Sequence, residues 1–155
     1  CMNAGLARRS IDFTVLTVIG ASFALGEALD KTGAAKVIAD TLMSYSHMTP
    51  LLALILVYAM TSMFTEVITN NAAAVLMFPI CSAVAQQSGV NIMPFAVAVM
   101  FAASASFMTP IGYQTNLMVY GPGGYRTLDY LKIGIPMNLL AGCVTIPMIL
   151  FFWPL

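Results

Sequence analysis

The sequence predicts an all-α integral membrane protein, and three observations carry this prediction. Hydrophobic residues make up 60% of the 155-residue chain, charged residues make up 8%, and the mean hydropathy is +0.90. Soluble domains carry about 25% charged residues, so this chain has too few polar residues to form the water-exposed surface of a soluble protein. Several apolar segments approach the roughly 20 residues that a helix needs to cross a bilayer. Finally, polar residues interrupt two of these segments internally.

The first two segments differ in length and charge. Residues 11–29 are apolar with charges only near the ends, at Asp12 and Glu27, so we expect a membrane span. Residues 34–46 are too short to span and include Lys36 and Asp40. We expect these residues to form a helix that lies in the membrane interface.

The longest apolar stretch covers residues 51–87, 37 residues in all. This length is too great for one span and too small for two complete spans. The stretch is interrupted once, by the polar run Thr-Glu-Val-Ile-Thr-Asn-Asn at 65–71, which we call the first break. We therefore predict a re-entrant helical hairpin over residues 50–87, with its tip at 65–71.

The next segment also contains an interruption. Residues 93–120 are apolar except for a polar run from Thr109 to Asn116, which we call the second break. Non-helical backbone at membrane depth is tolerated only where it is buried in protein or lines a cavity. We predict a broken helix over 93–120 and a last span over 131–152, which makes residues 1–155 a single membrane domain.

The two breaks predict a shared binding site near the middle of the membrane. Asn and Thr supply neutral oxygens that suit a hard cation such as sodium. A helix that starts at Ala72 would point its free N–H groups at a negative solute. The alternative is an ordinary polar loop between two spanning helices. Glu66 likewise has two interpretations: a proton or cation site, or an acceptor for backbone N–H groups that orients the tip.

Other classes of function have little support in the sequence. The six basic and six acidic residues sum to zero, so no electrostatic basis for nucleic-acid binding exists. The three cysteines form no CxxC or Cys/His cluster, so we expect no transition-metal site. Serine-hydrolase, zinc-protease and phosphate-loop motifs are missing from the sequence, so we expect neither an enzyme nor an organic cofactor.

At the two breaks the sequence resembles the divalent-anion/sodium symporter family of the ion-transporter superfamily. That family carries a Thr-Glu-x-x-Ser-Asn-Thr hairpin tip and a later Pro-x-x-Thr-Pro-Pro-Asn loop, which residues 65–71 and 110–116 resemble. The run Tyr-Gly-Pro-Gly-Gly-Tyr at 120–125 resembles the branch whose membrane halves are separated by regulatory domains similar to those of potassium-uptake regulators. The resemblance covers the whole chain, as the second inverted repeat of a secondary transporter with an unwound transmembrane helix.

The resemblance implies roles for particular residues. Sodium would be bound by Thr65, Thr69, Asn70 and a backbone carbonyl of Gly112. The solute-facing residues would be Thr69, Asn70, Asn71, Tyr113, Gln114 and Thr115. Two positions depart from the family pattern, because Asn71 replaces Thr and Tyr113-Gln114-Thr115 replaces Thr-Pro-Pro. These departures place a dicarboxylate in doubt and favour a smaller anion such as sulfate.

The function that follows is cation-coupled, and by resemblance sodium-coupled, transport of a small anion such as sulfate or a dicarboxylate. The alternatives are a pore segment of an ion channel and an inactive fragment of a larger transporter. The expected partners are the solute, sodium, membrane lipid, a missing N-terminal half of the transporter and a second copy in a homodimer. We expect the protein in the inner or plasma membrane. Its N-terminal side is expected to be cytoplasmic, because the basic residues predicted on that side, Arg8, Arg9, Arg126 and Lys132, outnumber Lys31 and Lys36 on the other side.

Overall fold

The computed structural model describes residues 31–44 and 49–155, together with six separate helical positions between 17 and 28. The described part contains helices and no β-strand, so the predicted all-α class is confirmed. The predicted span 11–29 falls largely outside the described residues, as do positions 45 and 46. The described helices are α1 (Ala34–Ser44), α2 (Pro50–Thr65), α3 (Asn70–Gln87), α4 (Ile92–Ser104), α5 (Gln114–Tyr120) and α6 (Thr127–Phe152).

Short polar signals set where these helices begin. Thr49 Oγ1 accepts a hydrogen bond from Leu52 N at 3.4 Å, and Pro50 occupies the first turn, where its missing N–H removes no helical bond. Asn91 Oδ1 accepts from Met93 N at 2.9 Å at the start of α4. Local sequence therefore accounts for both helix starts.

Helices α2, α3 and α4 pack against one another and form the core. Leu54, Val57, Met77, Val84 and Phe95 are almost completely buried between them. Helix α1 covers α3, and Asp40 of α1 accepts a hydrogen bond from the Gln87 amide. The two non-helical segments that follow α2 and α4 thus emerge from helices that lie side by side.

The lengths of the helices differ in a way that matters for a membrane. Within the described residues, α6 is long and apolar enough to cross a bilayer, since its 26 residues extend about 39 Å. Helices α2 and α4 are apolar but have 16 and 13 residues, about 24 Å and 20 Å, less than the roughly 30 Å hydrocarbon core. Helix α2 ends at the first break, and α4 ends at Ser104, shortly before the second break.

One stripe of α6 faces the core, and glycines make its close approach possible. The buried residues of α6 are Gly134, Asn138, Gly142 and Ile149, which recur along a single face. A Cβ at Gly134 would lie 2.2 Å from the carbonyl oxygen of Phe107. Helix α6 therefore contacts the backbone that follows α4 directly, without an intervening side chain.

We predict that Gly134→Ala destabilises the protein by about 1–3 kcal/mol, because the added methyl group meets immobile backbone. The measurement is the free energy or midpoint of unfolding in detergent. Gly121→Ala is the matched control, because a Cβ there meets no atom within 4 Å. Equal stability of the two variants would contradict the close approach of α6 to residues 107 and 108.

Candidate functional site

The first break contains a four-residue non-helical connection, Glu66–Thr69, while Thr65 ends α2 and Asn70 and Asn71 begin α3. Its side chains cap the new helix: Thr69 Oγ1 accepts from Ala72 N at 3.4 Å, and Asn70 Oδ1 accepts from Asn71 N at 2.8 Å. Side-chain oxygens thus occupy the start of α3, where backbone N–H groups have no helical partner. The side chains of Thr69 and Asn71 are exposed and that of Asn70 is partly buried.

The structure shifts the second break: the backbone is non-helical at residues 105–113, and residues 114–116, which were predicted to belong to the break, form the first turn of α5. The name second break is used for residues 105–116 from here on, and side chains satisfy its backbone. Asn116 Nδ2 donates to the carbonyls of Ser106 at 3.0 Å and Thr109 at 3.2 Å. Gly112 N donates to Thr109 Oγ1 at 3.1 Å, and Tyr130 Oη donates to the Asn116 carbonyl at 3.0 Å. These bonds hold the segment in one loop conformation, and the Asn116 side chain binds two of its carbonyls.

The Glu66 carboxylate joins the two breaks. Its Oε1 accepts from Phe107 N and Met108 N, both at 3.0 Å, and its Oε2 accepts from Thr109 N at 2.8 Å. The Thr109 hydroxyl returns a bond to the Glu66 carbonyl at 2.7 Å. Glu66 is only 5% exposed, so these bonds form away from solvent.

Helix α6 contributes to the same cluster through Asn138. Its Nδ2 donates to Glu66 Oε1 at 3.0 Å, so the carboxylate accepts four hydrogen bonds in all. This arrangement agrees with the interpretation of Glu66 as an acceptor for backbone N–H groups. The donors belong to residues 107–109 and not to the tip itself.

A second set of contacts brings Thr65 and Gly112 together. Thr65 is fully buried, its Oγ1 donates to the Ala103 carbonyl at 2.7 Å, and its own carbonyl accepts from Ser106 Oγ at 3.2 Å. A Cβ at Gly112 would lie 2.0 Å from Ser106 Oγ and 2.5 Å from the Thr65 carbonyl oxygen. The residue at 112 therefore has to be a glycine for the two breaks to meet.

The predicted solute-facing residues lie at the edges of this frame. Tyr113 is 45% exposed and Thr115 is exposed, at the start of α5. Gln114 is the first residue of α5, and its side chain is outside the described part of the structure. Ser106 and Asn138 were not among the site residues predicted from the sequence. Asn138 had a usable signal, because an amide inside an apolar helix is costly in a membrane.

Comparison with known proteins identifies the family. A model of the citrate transporter family matches residues 1–155. The chain belongs to the citrate transporter family. It is therefore an integral membrane protein. Its relatives include proteins named as transporters.

Three relatives show the range of similarity. A putative sulfur deprivation response regulator of Chlamydomonas reinhardtii is 41% identical over 155 residues, which cover 99% of this chain and 26% of that protein. A probable sodium/sulfate cotransporter 3 of the same alga is 38% identical over 143 residues, 90% of this chain and 16% of that protein. Mouse solute carrier family 13 member 2 is 27% identical over 141 residues, 91% and 24% of the two chains.

These relatives confirm the resemblance to divalent-anion/sodium symporters. The chain spans about a quarter or less of the length of these relatives. The resemblance to the branch with regulatory domains between the halves stays a prediction.

We predict that Glu66→Gln destabilises the protein by about 1–3 kcal/mol, because its amide NH₂ would face backbone N–H donors and leave one or more of them unsatisfied. Thermal unfolding in detergent measures the loss, and proteolysis within residues 105–113 reports the opening of the second break. Glu27→Gln is the matched control, since Glu27 forms an exposed ion pair with Lys31 at 3.1 Å. If Glu66→Gln were as stable as this control, the carboxylate would not hold the breaks.

Proposed function

We propose that the chain is the second inverted repeat of a sodium-coupled anion transporter and supplies half of its solute site. The observation that carries this proposal is the pair of polar breaks joined through Glu66, in a chain of the citrate transporter family. Irregular backbone at membrane depth is typical of transporter binding sites, where it lines a cavity and offers its polar groups to solute and ion. Relatives named as sodium/sulfate cotransporters support sodium as the coupling ion and an anion as the solute.

The lengths of α2 and α3 support a re-entrant hairpin. Their 16 and 18 residues extend about 24 Å and 27 Å, and a connection of four residues joins them. Both are shorter than a hydrocarbon core of about 30 Å. We propose that both helices enter from one face and that Glu66–Thr69 lies near the midplane.

The arrangement of oxygens at the first break supports a sodium site. We propose that sodium is bound by Thr65, Thr69, Asn70 and a Gly112 carbonyl. Support comes from the contact between Thr65 and Gly112, and from Thr69 and Asn70, which follow Thr65 across the short non-helical connection at the start of α3. Neutral oxygens from both breaks would bind the cation together, so cation binding would order the tip before the anion binds.

The anion would then bind between the start of α3 and the start of α5. We propose that Thr69, Asn70 and Asn71 contact it from one side and Tyr113, Gln114 and Thr115 from the other. The positive end of the 18-residue helix α3 favours a negative solute at this place. The bulky Tyr113 leaves less room than the family pattern does, which favours sulfate over a dicarboxylate or citrate.

The complete transporter would contain a preceding membrane half, which supplies the other side of the site. We propose that the halves are separated by cytoplasmic regulatory domains, and that two copies form a homodimer in the plasma or inner membrane. The N-terminal side of this chain would then be cytoplasmic. The resemblance and the distribution of Lys and Arg support these assignments.

The sodium assignment predicts that Asn70→Ala raises the sodium concentration for half-maximal uptake by about 10- to 100-fold. Loss of one ligand to a charged species is worth about 1.5–3 kcal/mol, and 1.4 kcal/mol corresponds to a factor of ten. The measurement is radiolabelled uptake by the full-length transporter in proteoliposomes across a sodium series. Asn91→Ala is the control, because Asn91 also accepts a backbone N–H at a helix start but lies at the far end of α4. An unchanged sodium dependence in Asn70→Ala would exclude Asn70 as a ligand.

The solute assignment predicts that unlabelled sulfate competes with labelled sulfate at concentrations where succinate and citrate do not. Uptake in proteoliposomes with and without a sodium gradient tests it. Tyr113→Thr restores the residue of the family pattern and should weaken the preference for sulfate over succinate. Preferred uptake of succinate by the unaltered transporter would contradict the assignment, and sodium-independent currents above carrier turnover rates would indicate a channel.

A further inference from the structure

A pocket of about 390 Å³ lies between α5 and the first turns of α6. We call it the α5–α6 pocket. Aromatic rings and a carboxylate line one end of it, and the lining becomes apolar along α6 over about 12 Å, from Asp129 to Met137. The polar end is formed by Tyr125, Asp129 and Tyr130, and the apolar part by Val119, Ile133 and Met137.

The tyrosine rings at the polar end are held in position by their neighbours. Tyr125 and Tyr130 pack edge to face, with ring centroids 6.0 Å apart and planes at 75°. Tyr130 Oη donates to the Asn116 carbonyl at 3.0 Å, and Gly123 leaves room for the Tyr125 ring, since a Cβ there would overlap it. Tyr125 remains 52% exposed, so a ligand can reach its ring. The faces of tyrosine rings attract cations, so the pair offers a preformed surface to a positively charged group.

Asp129 adds a negative charge beside these rings. Its Oδ2 accepts a hydrogen bond from Arg126 N at 2.9 Å, so capping of α6 accounts for that oxygen alone. Among the described residues, no group donates to Asp129 Oδ1 and no Lys or Arg side chain forms an ion pair with the carboxylate. Because Asp129 is partly exposed and Oδ1 is not buried, a ligand can reach that oxygen. The carboxylate would repel an anionic solute, whereas a carboxylate beside aromatic rings favours an ammonium group.

The depth of the pocket in the membrane indicates which kind of molecule would carry this ammonium group. The 26 residues of α6 extend about 39 Å, beyond a hydrocarbon core of about 30 Å, so the first turn of α6 lies among the lipid headgroups. Ile133 and Met137 follow Asp129 by one and two turns, at the level of the acyl chains. A molecule with a cationic head and a hydrocarbon tail fits both levels, and in a membrane that molecule is a phospholipid.

The free oxygen of Asp129 distinguishes between the common headgroups. A primary ammonium has N–H groups that can donate to Oδ1, whereas the trimethylammonium of choline has none. We propose that the α5–α6 pocket binds a phosphatidylethanolamine lipid, with its ammonium group between Asp129 Oδ1 and the Tyr125 ring and an acyl chain along the apolar part. Phe107 and Asn116 also line the pocket, so the bound lipid would contact the second break. The inference needs the membrane setting of the family, and it does not rest on the sodium or sulfate assignment.

Native mass spectrometry of the purified full-length transporter tests the proposal, with lipids that share their acyl chains and carry ethanolamine, choline or glycerol headgroups. We expect the ethanolamine lipid to bind most tightly, and Asp129→Asn to weaken its binding about fivefold and remove the preference. Asn retains an oxygen that can accept from Arg126 N, so the start of α6 is preserved. Asp40→Asn is the matched control, because Asp40 is an exposed acid that lines a different pocket. Equal binding of the ethanolamine and choline lipids, no loss in Asp129→Asn, or an equal loss in Asp40→Asn would overturn the proposal.

Two substitutions of Tyr125 test the role of its ring independently. Tyr125→Phe keeps the ring and should bind the ethanolamine lipid as the unaltered transporter does, whereas Tyr125→Leu should bind it about threefold more weakly. Thermal unfolding of both variants in lipid-free detergent establishes that folded proteins are compared. Equal affinities of the two variants would contradict the contact between the ammonium group and the ring. Neither measurement needs transport activity, so failure of the sodium or sulfate assignment leaves both results interpretable.

Discussion

The carboxylate of Glu66 is the group on which the described structure depends. Where α4 ends, the backbone N–H groups of residues 107–109 have no helical acceptor, and in an apolar medium each would cost several kcal/mol if left unpaired. Glu66 provides acceptors for all three at 2.8–3.0 Å and binds Asn138 as well. Because the Thr109 hydroxyl binds the Glu66 carbonyl in return, each break satisfies the backbone of the other.

This reciprocity separates two groups of polar residues. The inner group holds the frame: Thr65, Glu66, Ser106 and Asn138 are at least about nine-tenths buried and bind one another or nearby backbone. The outer group, which includes Thr69, Asn71, Tyr113 and Thr115, is exposed at the starts of α3 and α5. Preorganised binding requires exposed polar groups on a buried, hydrogen-bonded frame, and in the proposed function the outer residues would contact the solute.

Much of the candidate site was visible in the sequence, and the reason is local. Thr, Glu and Asn inside apolar segments are costly unless they have partners, so they indicated where the helices stop. The structure ends α2 at Thr65 and starts α3 at Asn70, within the interval that these residues mark. The acceptor role of Glu66 was one of two interpretations, but its donors were unknown. Ser106 was overlooked because it lies in a run of small residues, where a serine carries no distinguishing pattern.

The sequence by itself determined the all-α class, the membrane environment and the positions of the polar interruptions, because hydropathy and capping depend on neighbours along the chain. Only the tertiary structure decided which interruptions meet. Glu66 lies 41 residues before Phe107 and 72 before Asn138, and no local pattern encodes such pairings. They follow from the packing of α2 on α4 and of α6 on both, with Gly112 and Gly134 permitting the close backbone contacts.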